Sequence, residues 1–419
     1  MFHKKKILLM DKRNIFPEIF IKRLNKDLNL EPIVTRDYTE TKQLIYNHHS
    51  NLFLALVDFE PSQTDEFENI DYILENGIPC ITITPVFGDE ARREILSRNI
   101  VDYIYRENEL DIDYSIALID RLLKNPERKV LVVEDSITYR KYISGLLKSQ
   151  MFKVIEANHG KEALTLLDKN SDIQLILTDY NMPYMDGFQL TKIIRQKHGK
   201  DSMAILAISD NESKKISSNF LKFGANDYIQ KPFSKEEFFC RINLNIDILE
   251  NFQKLKDAAY KDYLTGLYNR RYFFEKSQSL LEQAISENRY FSLGTIDIDF
   301  FKKVNDNYGH DVGDIALQFI ADVLQAYLPG NGIVGRMGGE EFCILLMDYD
   351  KETTLEYFES IRRRTERIPI SIGSGKAIQC TISIGVTLNK HDKLDKVLKE
   401  SDEMLYQAKK AGRNRVCYA

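Results

Sequence analysis

The sequence lacks the features that mark several classes of protein. Its five cysteines show no Cys-x-x-Cys spacing, which argues against a zinc site or a disulfide framework and is typical of reduced thiols in the cytoplasm. No stretch approaches the ~18 apolar residues of a membrane span, so we expect a cytoplasmic protein with no integral membrane segment. The net charge of −5, without basic–aromatic clusters, argues against nucleic-acid binding.

What the sequence does contain is ordinary globular material in a long chain. The 419 residues are 43% hydrophobic and 29% charged, which is sufficient for several cores. At roughly 100–200 residues per domain, this length indicates about three domains.

The first part of the chain repeats itself loosely. "KKILLMD" (Lys5–Asp11) matches "KVLVVED" (Lys129–Asp135), and "LFLALVD" (Leu52–Asp58) matches "IQLILTD" (Ile173–Asp179). Short apolar strands of this kind alternate with helical patterns. The repeat therefore predicts two flavodoxin-like, doubly wound parallel sheets with functional residues at the carboxyl ends of their strands.

The strand ends of the second copy carry a coherent set of polar residues. Glu134 and Asp135 end one strand, Asp179 ends another, and Ser209 and Lys231 follow two more. Three carboxylates can bind Mg²⁺, while a hydroxyl and an ammonium group can hold a phosphoryl group on one of the acids. The alternative is a flavodoxin-like domain with solvated acids.

Together with "DYNMPYMDG" (Asp179–Gly187) and "KPF" (Lys231–Phe233), these residues resemble a response-regulator receiver domain. The resemblance implies phosphorylation by a sensor histidine kinase or a phosphotransfer protein. It implies the following roles: Asp179 as phosphoacceptor, Glu134 and Asp135 as Mg²⁺ ligands with Asp179, Ser209 and Tyr228 as the switch pair, and Lys231 as the phosphate-binding lysine.

The first copy departs from this pattern. Aligned by its motif, it has Met10 where the second copy has Glu134, which leaves Asp11 as its acid, and it has Arg106 in place of the lysine. A site with fewer carboxylates should bind Mg²⁺ poorly. We expect a degenerate receiver that serves as a dimerisation or adaptor module, although Asp58 still stands at the phosphoacceptor position.

The segment from 233 to 260 has no glycine or further proline after Pro232 and predicts one helix. It can be the last helix of the receiver packing on its own sheet, or it can continue into a short coiled-coil stalk. Two competing apolar stripes leave both interpretations open.

The last third contains two acidic clusters. The apolar run before Asp297 and Asp299 predicts a strand, and alternation would place both acids on one face. Glu340 and Glu341 follow the glycine pair of "GRMGGEEFCILL" (Gly335–Leu346). A plain hairpin turn with solvated acids is one explanation. The other is a divalent-cation site for a nucleotide, since Mg²⁺ commonly uses one or two carboxylates together with phosphates of the substrate.

"DYLTGLYNRRYF" (Asp262–Phe273), the acidic strand, "GGEEF" (Gly338–Phe342), "SIGV" (Ser383–Val386) and "DEMLYQAKKAGRNRV" (Asp402–Val416) together resemble a GGDEF diguanylate cyclase domain. The whole chain resembles regulators of the PleD type, and the family implies an α+β, palm-type cyclase with a largely antiparallel sheet. The expected domains are a degenerate receiver at 1–125, a receiver at 127–248, a helical linker at 249–260 and the cyclase at 261–419.

The resemblance implies that a homodimer condenses two GTP molecules into cyclic di-GMP with Mg²⁺ or Mn²⁺ and releases pyrophosphate. Asp297, Glu340 and the Ile298 carbonyl would hold the metal, and Glu341 would either be a ligand or assist the 3′-hydroxyl. The implied GTP-binding residues are Gly338 and Gly339 at the turn, Phe300, Phe301 and Lys302 at the phosphates, Lys409 and Arg413 at the terminal phosphates, and Asn305 and Asp314 at guanine. If their segment is helical, Lys409 and Arg413 share one face.

One motif of many family members is missing. The window for the Arg-x-x-Asp product-inhibition motif reads "PGNG" (Pro329–Gly332), which supplies neither a guanidinium nor a carboxylate. We therefore expect weak product inhibition. The main alternative to a cyclase is a catalytically silent module that senses GTP or cyclic di-GMP.

Overall fold

The computed structural model describes residues 4–48, 51–60, 65–85, 89–106, 110–210, 214–373, 375–388 and 393–419. The chain divides into two compact units, Met1–Glu250 and Asn251–Ala419. Part of the segment after Asp58, where the second copy has its Met-Pro and Asp-Gly features, lies outside the described residues. Each unit is described by itself below.

The first unit begins with a five-stranded parallel sheet in the order β2-β1-β3-β4-β5. Its strands are β1 (Lys6–Met10), β2 (Glu31–Thr35), β3 (Leu52–Asp58), β4 (Cys80–Thr84) and β5 (Asp102–Tyr105). Its helices are α1 (Glu18–Leu28), α2 (Tyr38–His48), α3 (Asp65–Glu75), α4 (Asp89–Ser97) and α5 (Ile112–Lys124). Apolar residues of the central strands are buried on both faces, as expected where helices cover a parallel sheet on both sides.

The second sheet repeats this order as β7-β6-β8-β9-β10, again parallel throughout. Its strands are β6 (Lys129–Val133), β7 (Lys153–Ala157), β8 (Ile173–Asp179), β9 (Ala204–Ser209) and β10 (Asp227–Gln230). Its helices are α6 (Ile137–Ser149), α7 (Gly160–Lys169), α8 (Gly187–Lys197), α9 (Lys214–Lys222) and α10 (Lys235–Tyr260). This is the flavodoxin-like order, so the predicted fold class is confirmed for both sheets.

The strand register corrects the alignment of the two copies. Met10 pairs with Val57, one residue before Asp58, whereas Val133 pairs with Thr178, one residue before Asp179. Met10 therefore corresponds to Val133, and our placement of Met10 opposite Glu134 was wrong by one residue. The motif comparison fails because it matches Asp11 with Asp135, the second of two acids after its strand, whereas the ladder fixes the pairing of the strands themselves. Asp11 is the counterpart of Glu134, and Lys12 is the counterpart of Asp135.

The last helix of the second sheet, α10, is one continuous element of 26 residues. Its buried residues reach from Phe238 to Leu249 and belong to the core of its own sheet. Leu244, Ile248 and Leu255 are 54%, 37% and 66% exposed. Of the first proposed stripe, Ile242 and Leu249 pack on the sheet, whereas its third member, Phe252, is 44% exposed. The competing stripe of Leu244, Ile248 and Leu255 faces solvent.

Within the first unit, α10 also contacts the first sheet domain. Arg92 pairs with Glu236 at 2.7 Å, and Arg121 pairs with Asp247 at 2.6 Å. The Lys235 ammonium donates to the Ile100 carbonyl at 2.5 Å. The two sheet domains therefore meet through the N-terminal half of α10.

The second unit is built on a six-stranded mixed sheet in the order β11-β13-β14-β12-β17-β18. Its strands, with a small hairpin β15–β16, are β11 (Tyr268–Asn269), β12 (Phe291–Ile298), β13 (Ile333–Gly338), β14 (Glu341–Met347), β15 (Ile370–Ser371), β16 (Ala377–Ile378), β17 (Ile382–Leu388) and β18 (Val416–Tyr418). Its helices are α11 (Arg270–Ser286), α12 (Phe301–Tyr308), α13 (His310–Ala326), α14 (Lys351–Arg367) and α15 (Leu394–Lys410).

The central pairs of this sheet are antiparallel, and the short edge strands β11 and β18 pair in parallel. The expected largely antiparallel sheet is confirmed. Helix α15 lies very close to β17 because Gly385 has no side chain: a Cβ there would stand 2.1 Å from the Ser401 carbonyl oxygen. The glycine of the "SIGV" motif thus sets the distance between the sheet and the helix that ends at Lys410.

Candidate functional site

The acids of the second unit meet where β12 and β14 run side by side. Asp297 lies directly opposite Glu341 in the antiparallel register. Asp297 is only 5% exposed. Burial raises the pKa of the Asp297 carboxyl, the charges of Glu340 and Glu341 act in the same direction, and Lys409 opposes them. The two sequence clusters thus form one negatively charged site, as expected of acids that could share a cation.

Glu340 and the glycine pair form the tight turn between β13 and β14. Gly338 and Gly339 have φ angles of 139° and 54°, values that residues with a side chain rarely adopt. The Glu340 carbonyl accepts a hydrogen bond from the Ile298 amide at 3.4 Å. The turn is therefore bonded to the end of β12 that carries Asp297.

Asp299 does not join this cluster, contrary to our expectation. β12 ends at Ile298, so the alternation of the strand no longer governs the next side chain. The Asp299 carboxylate is buried and accepts hydrogen bonds from Thr381, Ser383 and the Asn414 amide.

Lys409 reaches the acidic site from the last turn of α15. Its ammonium nitrogen lies 2.7 Å from a carboxylate oxygen of Asp297. Arg413 is not on the same helix, because α15 ends at Lys410 and Arg413 follows in a turn with a φ of 63°. The condition for a shared helical face, a helix that includes both residues, is therefore not met. The Arg413 guanidinium instead lies 4.6 Å from the centre of the Phe300 ring.

The residues expected to contact phosphates and guanine lie on the helical pair after β12. Phe300 precedes the first turn of α12, and Phe301 and Lys302 form its start. Their amides therefore belong to a helix N-terminus, where backbone N–H groups favour anions. Asn305 lies on α12 and Asp314 on the adjacent α13.

A further ion pair joins two motifs to which we had assigned no contact. Arg336, two residues before Gly338, donates to Asp262 at 3.0 Å and to the Gly339 carbonyl at 2.8 Å. Asp262 opens the "DYLTG" segment. The start of this segment is therefore tied directly to the signature turn. In the sequence, Arg336 is recognisable only as an arginine two residues before the glycine pair, to which no motif assigns a role.

In the second receiver-like sheet, the predicted residues are brought together. Oxygen atoms of Glu134, Asp135 and Asp179 lie within 4.8 Å of one another. The Lys231 ammonium lies 2.7 Å from both Glu134 and Asp179. Burial raises the pKa of the Asp179 and Glu134 carboxyls, while Lys231 opposes that effect.

The two remaining residues of this site lie on neighbouring strands. Ser209 ends β9 and is fully buried, and Tyr228 is on the adjacent β10. Burial raises the pKa of Tyr228, and a side-chain hydrogen bond with Ser209 partly offsets this effect. The hydroxyl pair lies at the same sheet edge as the acids.

The first sheet carries a different arrangement around Asp58, whose side chain is fully buried. Arg13 forms an ion pair with both carboxylate oxygens, with its Nε 3.0 and 3.1 Å from them, and its backbone amide donates at 3.0 Å. The same guanidinium pairs with Glu60 at 2.9 Å. Asp11 accepts from the Ile15 amide at 2.7 Å. No sequence motif pointed to Arg13.

The donor sets of the two acidic sites fit Mg²⁺. Both offer carboxylate oxygens, which Mg²⁺ prefers; Lys231 bridges Glu134 and Asp179 in one of them, and Lys409 contacts Asp297 in the other. The Asp58 site does not fit in the same way, because a guanidinium already contacts both of its oxygens. No helix in the described part of the chain is both long and apolar enough to cross a membrane.

Comparisons with known proteins match two families to separate parts of the chain. Residues 259–415 match the profile of the diguanylate cyclase GGDEF domain, and residues 130–243 match that of the response regulator receiver domain. The response regulator PleD of Caulobacter vibrioides is 30% identical over 298 residues, which are 69% of this chain and 65% of PleD. The uncharacterized protein YhcK of Bacillus subtilis is 37% identical over 171 residues, which are 40% of this chain and 48% of that protein.

Among solved structures, one described as a two-component system response regulator/GGDEF domain protein is 31% identical. It aligns with a TM-score of 0.52 over 59% of this chain and 100% of its own. The match to PleD spans slightly less than two thirds of that relative's length.

Proposed function

This chain belongs to the response regulators that carry a GGDEF domain, and we propose that it is a diguanylate cyclase under phosphorylation control. The proposed reaction condenses two GTP molecules into cyclic di-GMP and releases pyrophosphate. The observation that carries the proposal is the cluster of Asp297, Glu340 and Glu341 with Lys409 at the edge of the sheet. The glycine turn beside it, whose Gly338 and Gly339 have no side chains, leaves space for a nucleotide to approach the backbone.

The proposed metal ligands are Asp297, Glu340 and the Ile298 carbonyl. A divalent ion, Mg²⁺ or Mn²⁺, would neutralise phosphate charge there and favour deprotonation of the 3′-hydroxyl when bound. Lys409 contacts Asp297 in the present arrangement and would be free to turn to the phosphates once that carboxylate has another cation. Glu341 lies opposite Asp297 and is exposed, so it can act as a ligand or assist the hydroxyl.

The phosphates and the base would lie over the α12–α13 pair. Amides of Phe300, Phe301 and Lys302 and the guanidinium of Arg413 supply the positive side of this pocket. Asn305 and Asp314 would read guanine, because a carboxylate accepts from its N1–H and N2–H₂ groups, which adenine does not offer at these positions.

Since each cyclase domain would bind one GTP, product formation requires two domains face to face, and we propose a homodimer. Phosphorylation of Asp179 by a sensor kinase or phosphotransfer protein would add charge beside Lys231 and Ser209 and bias the dimer geometry. With "PGNG" at Pro329–Gly332, product inhibition through that surface would be weak.

The test is incubation of the full chain with GTP and Mg²⁺, with and without a small-molecule phosphodonor, followed by chromatography of the nucleotides. Cyclic di-GMP should form and should increase with the phosphodonor. Glu340→Ala should lower the rate by about 10²–10³-fold, the range typical of one lost electrostatic contact in an active site. A folded wild-type protein that binds GTP and forms no product would refute the proposal.

A further inference from the structure

The carboxylate of Asp299 is one of the most fully hydrogen-bonded groups of the second unit. It is only 5% exposed. One oxygen accepts from the Ser383 hydroxyl at 2.6 Å. The other accepts from the Thr381 hydroxyl at 2.7 Å and from the Asn414 amide at 3.0 Å. Both oxygens of this acid are therefore occupied by protein donors.

The three donors come from two different segments. Thr381 and Ser383 flank the start of β17 and hold the carboxylate against the sheet. The Asn414 amide belongs to the turn between α15 and β18. In that turn Arg413 and Asn414 have φ angles of 63° and 47°, a conformation that residues with a side chain adopt at some cost. A fixed acceptor for the amide in the middle of the turn compensates for that cost.

Asp299 also directly precedes the start of α12, the helix proposed to face the phosphates. The next residue, Phe300, has a φ of 58° and precedes the first turn of α12. The Arg413 guanidinium lies 4.6 Å from the centre of the Phe300 ring. One buried carboxylate thus connects the two places from which the amides of α12 and the guanidinium of Arg413 would approach a triphosphate.

We infer that Asp299 is a positioning residue for GTP, which holds the Arg413 turn and the start of α12 in register with each other. The inference rests on the proposed function, because it assigns a role at the same substrate site. Asp299 would act on the phosphates only through Arg413 and the helix start, and it would neither bind the metal nor contact the substrate.

Three donors contact the side chain of Asp299, and a carboxylate can accept all three of these hydrogen bonds. An amide side chain of the same size has one oxygen acceptor, and its nitrogen can only donate. Asp299→Asn would therefore leave the Asn414 amide or one of the hydroxyls without an acceptor. Loss of a hydrogen bond to a charged acceptor would loosen the turn, and we expect the KM for GTP to rise about tenfold. The kcat at saturating GTP should stay within about threefold, because the metal ligands are untouched.

The test compares full-length wild type, Asp299→Asn, Arg413→Ala and the double variant in steady-state assays with GTP and Mg²⁺. If Asp299 acts through Arg413, adding Asp299→Asn to Arg413→Ala should raise KM little further, because the effects share one cause. Thr354→Val is the matched control, since it removes a buried hydroxyl contact with Ser292 at the far end of β12. Its KM should equal that of the wild type.

Two results would overturn the inference: an unchanged KM in Asp299→Asn, or a large fall in kcat with KM unchanged. Multiplicative KM effects in the double variant would likewise contradict it. If Asp299→Asn does not fold, Asn414→Ala loosens the same turn from the other side, because alanine tolerates φ of 47° poorly and lacks the contacts of Asn414 with Arg362 and Glu366. It must then show the same KM rise and the same non-additivity with Arg413→Ala.

Calorimetric binding of a non-hydrolysable GTP analogue separates this inference from the proposed function. If the wild type binds the analogue but makes no cyclic di-GMP, the proposed function fails. In that case the weaker binding expected of Asp299→Asn still decides the role of Asp299.

Discussion

Two sites at the same position of two similar sheets differ in what neutralises the central aspartate. In the second sheet, Asp179 shares the ammonium of Lys231 with Glu134, and Asp135 lies close by. In the first sheet, Asp58 is held by the guanidinium and the backbone amide of Arg13. A lysine that bridges two acids leaves carboxylate oxygens available to a metal ion. An arginine that contacts both oxygens of one carboxylate occupies the position that a metal ion would need.

The difference arises from two neighbouring residues. The strand register makes Lys12 the counterpart of Asp135 and Arg13 the counterpart of Ser136. The first site has therefore exchanged an acid for a base and gained a cation that reaches the phosphoacceptor position. We expect it to resist both Mg²⁺ binding and phosphoryl transfer.

The largest expected effect concerns activation. Asp179→Asn should abolish the increase in cyclic di-GMP synthesis caused by a small-molecule phosphodonor, because the proposed acceptor is lost. Asp58→Asn should leave most of the increase intact, because Arg13 already blocks that carboxylate. Initial rates with and without phosphodonor measure both. The reverse ranking would make the first sheet the input domain.

The second prediction converts one site into the other. In an Asp179→Asn background, the double change Lys12→Asp and Arg13→Ser gives the first site the acid and the serine that the second site has at Asp135 and Ser136, while Asp11 and Arg106 stay as they are. Phosphodonor and Mg²⁺ should then produce modification of Asp58, detectable as an added phosphoryl mass on its peptide. Arg13→Ser alone is the matched control and should remain unmodified, because Lys12 still replaces the acid. Equal modification of both variants would show that the guanidinium alone closes the site.

The third prediction concerns stability and metal. Arg13→Ala leaves the Asp58 charge buried without its main partner and should destabilise the first sheet domain by about 2–4 kcal/mol. Lys231→Ala should destabilise the second domain, and Mg²⁺ should restore it, because three carboxylates can take the ion. Hydrogen exchange of peptides from β3 and β8, measured with and without Mg²⁺, reports each domain separately. Restoration of the Arg13→Ala protein by Mg²⁺ would contradict the contrast.

Part of this fold could be predicted from the sequence alone, and the register of the strands could not. The parallel sheets and the strand-end acids follow from local patterns of apolar and acidic residues, whereas the largely antiparallel sheet was implied by the family resemblance. The register of strand pairing does not follow from such patterns. The two motifs can be aligned at Asp11 and Asp135, but the strand pairing shows that this alignment is offset by one residue. A one-residue offset changes which side chain faces the site.

Contacts between residues that are far apart in the sequence could not be predicted either. Arg13 meets Asp58 across 45 residues, and Asp299 meets the Asn414 amide across 115. Arg13 and Asn414 both lie outside the internal repeat of the sequence, so their roles become visible only in the folded structure. The four-residue spacing of Lys409 and Arg413 suits one helical face only if the helix continues that far. The left-handed turn after Lys410 ends that helix first.

The smallest expected effect contrasts Asp102 with Asp227, which hold the same position on β5 and β10 and each accept the following tyrosine amide at 2.8 Å. Asp227 pairs with Arg241 at 2.8 Å. Burial raises the pKa of Asp102 to about 6, with Lys235 opposing and Glu236 adding to that effect. A carboxyl whose pKa is raised on folding stabilises the fold while protonated, and this contribution is lost as pH rises from its unfolded value through about 6.

Asp102→Asn should therefore stabilise the first sheet domain by about 1–3 kcal/mol above pH 7, since each pKa unit corresponds to about 1.4 kcal/mol and the group is partly exposed. Below pH 4 the variant and the wild type should be equally stable. Asp227→Asn is the matched control and should destabilise its own domain slightly at neutral pH, because it removes a half-exposed ion pair. Hydrogen exchange of β5 and β10 peptides, corrected for intrinsic rates at each pH, measures both. Stabilisation by Asp102→Asn that is the same at pH 4 and pH 7.5 would show that the buried charge is not its cause.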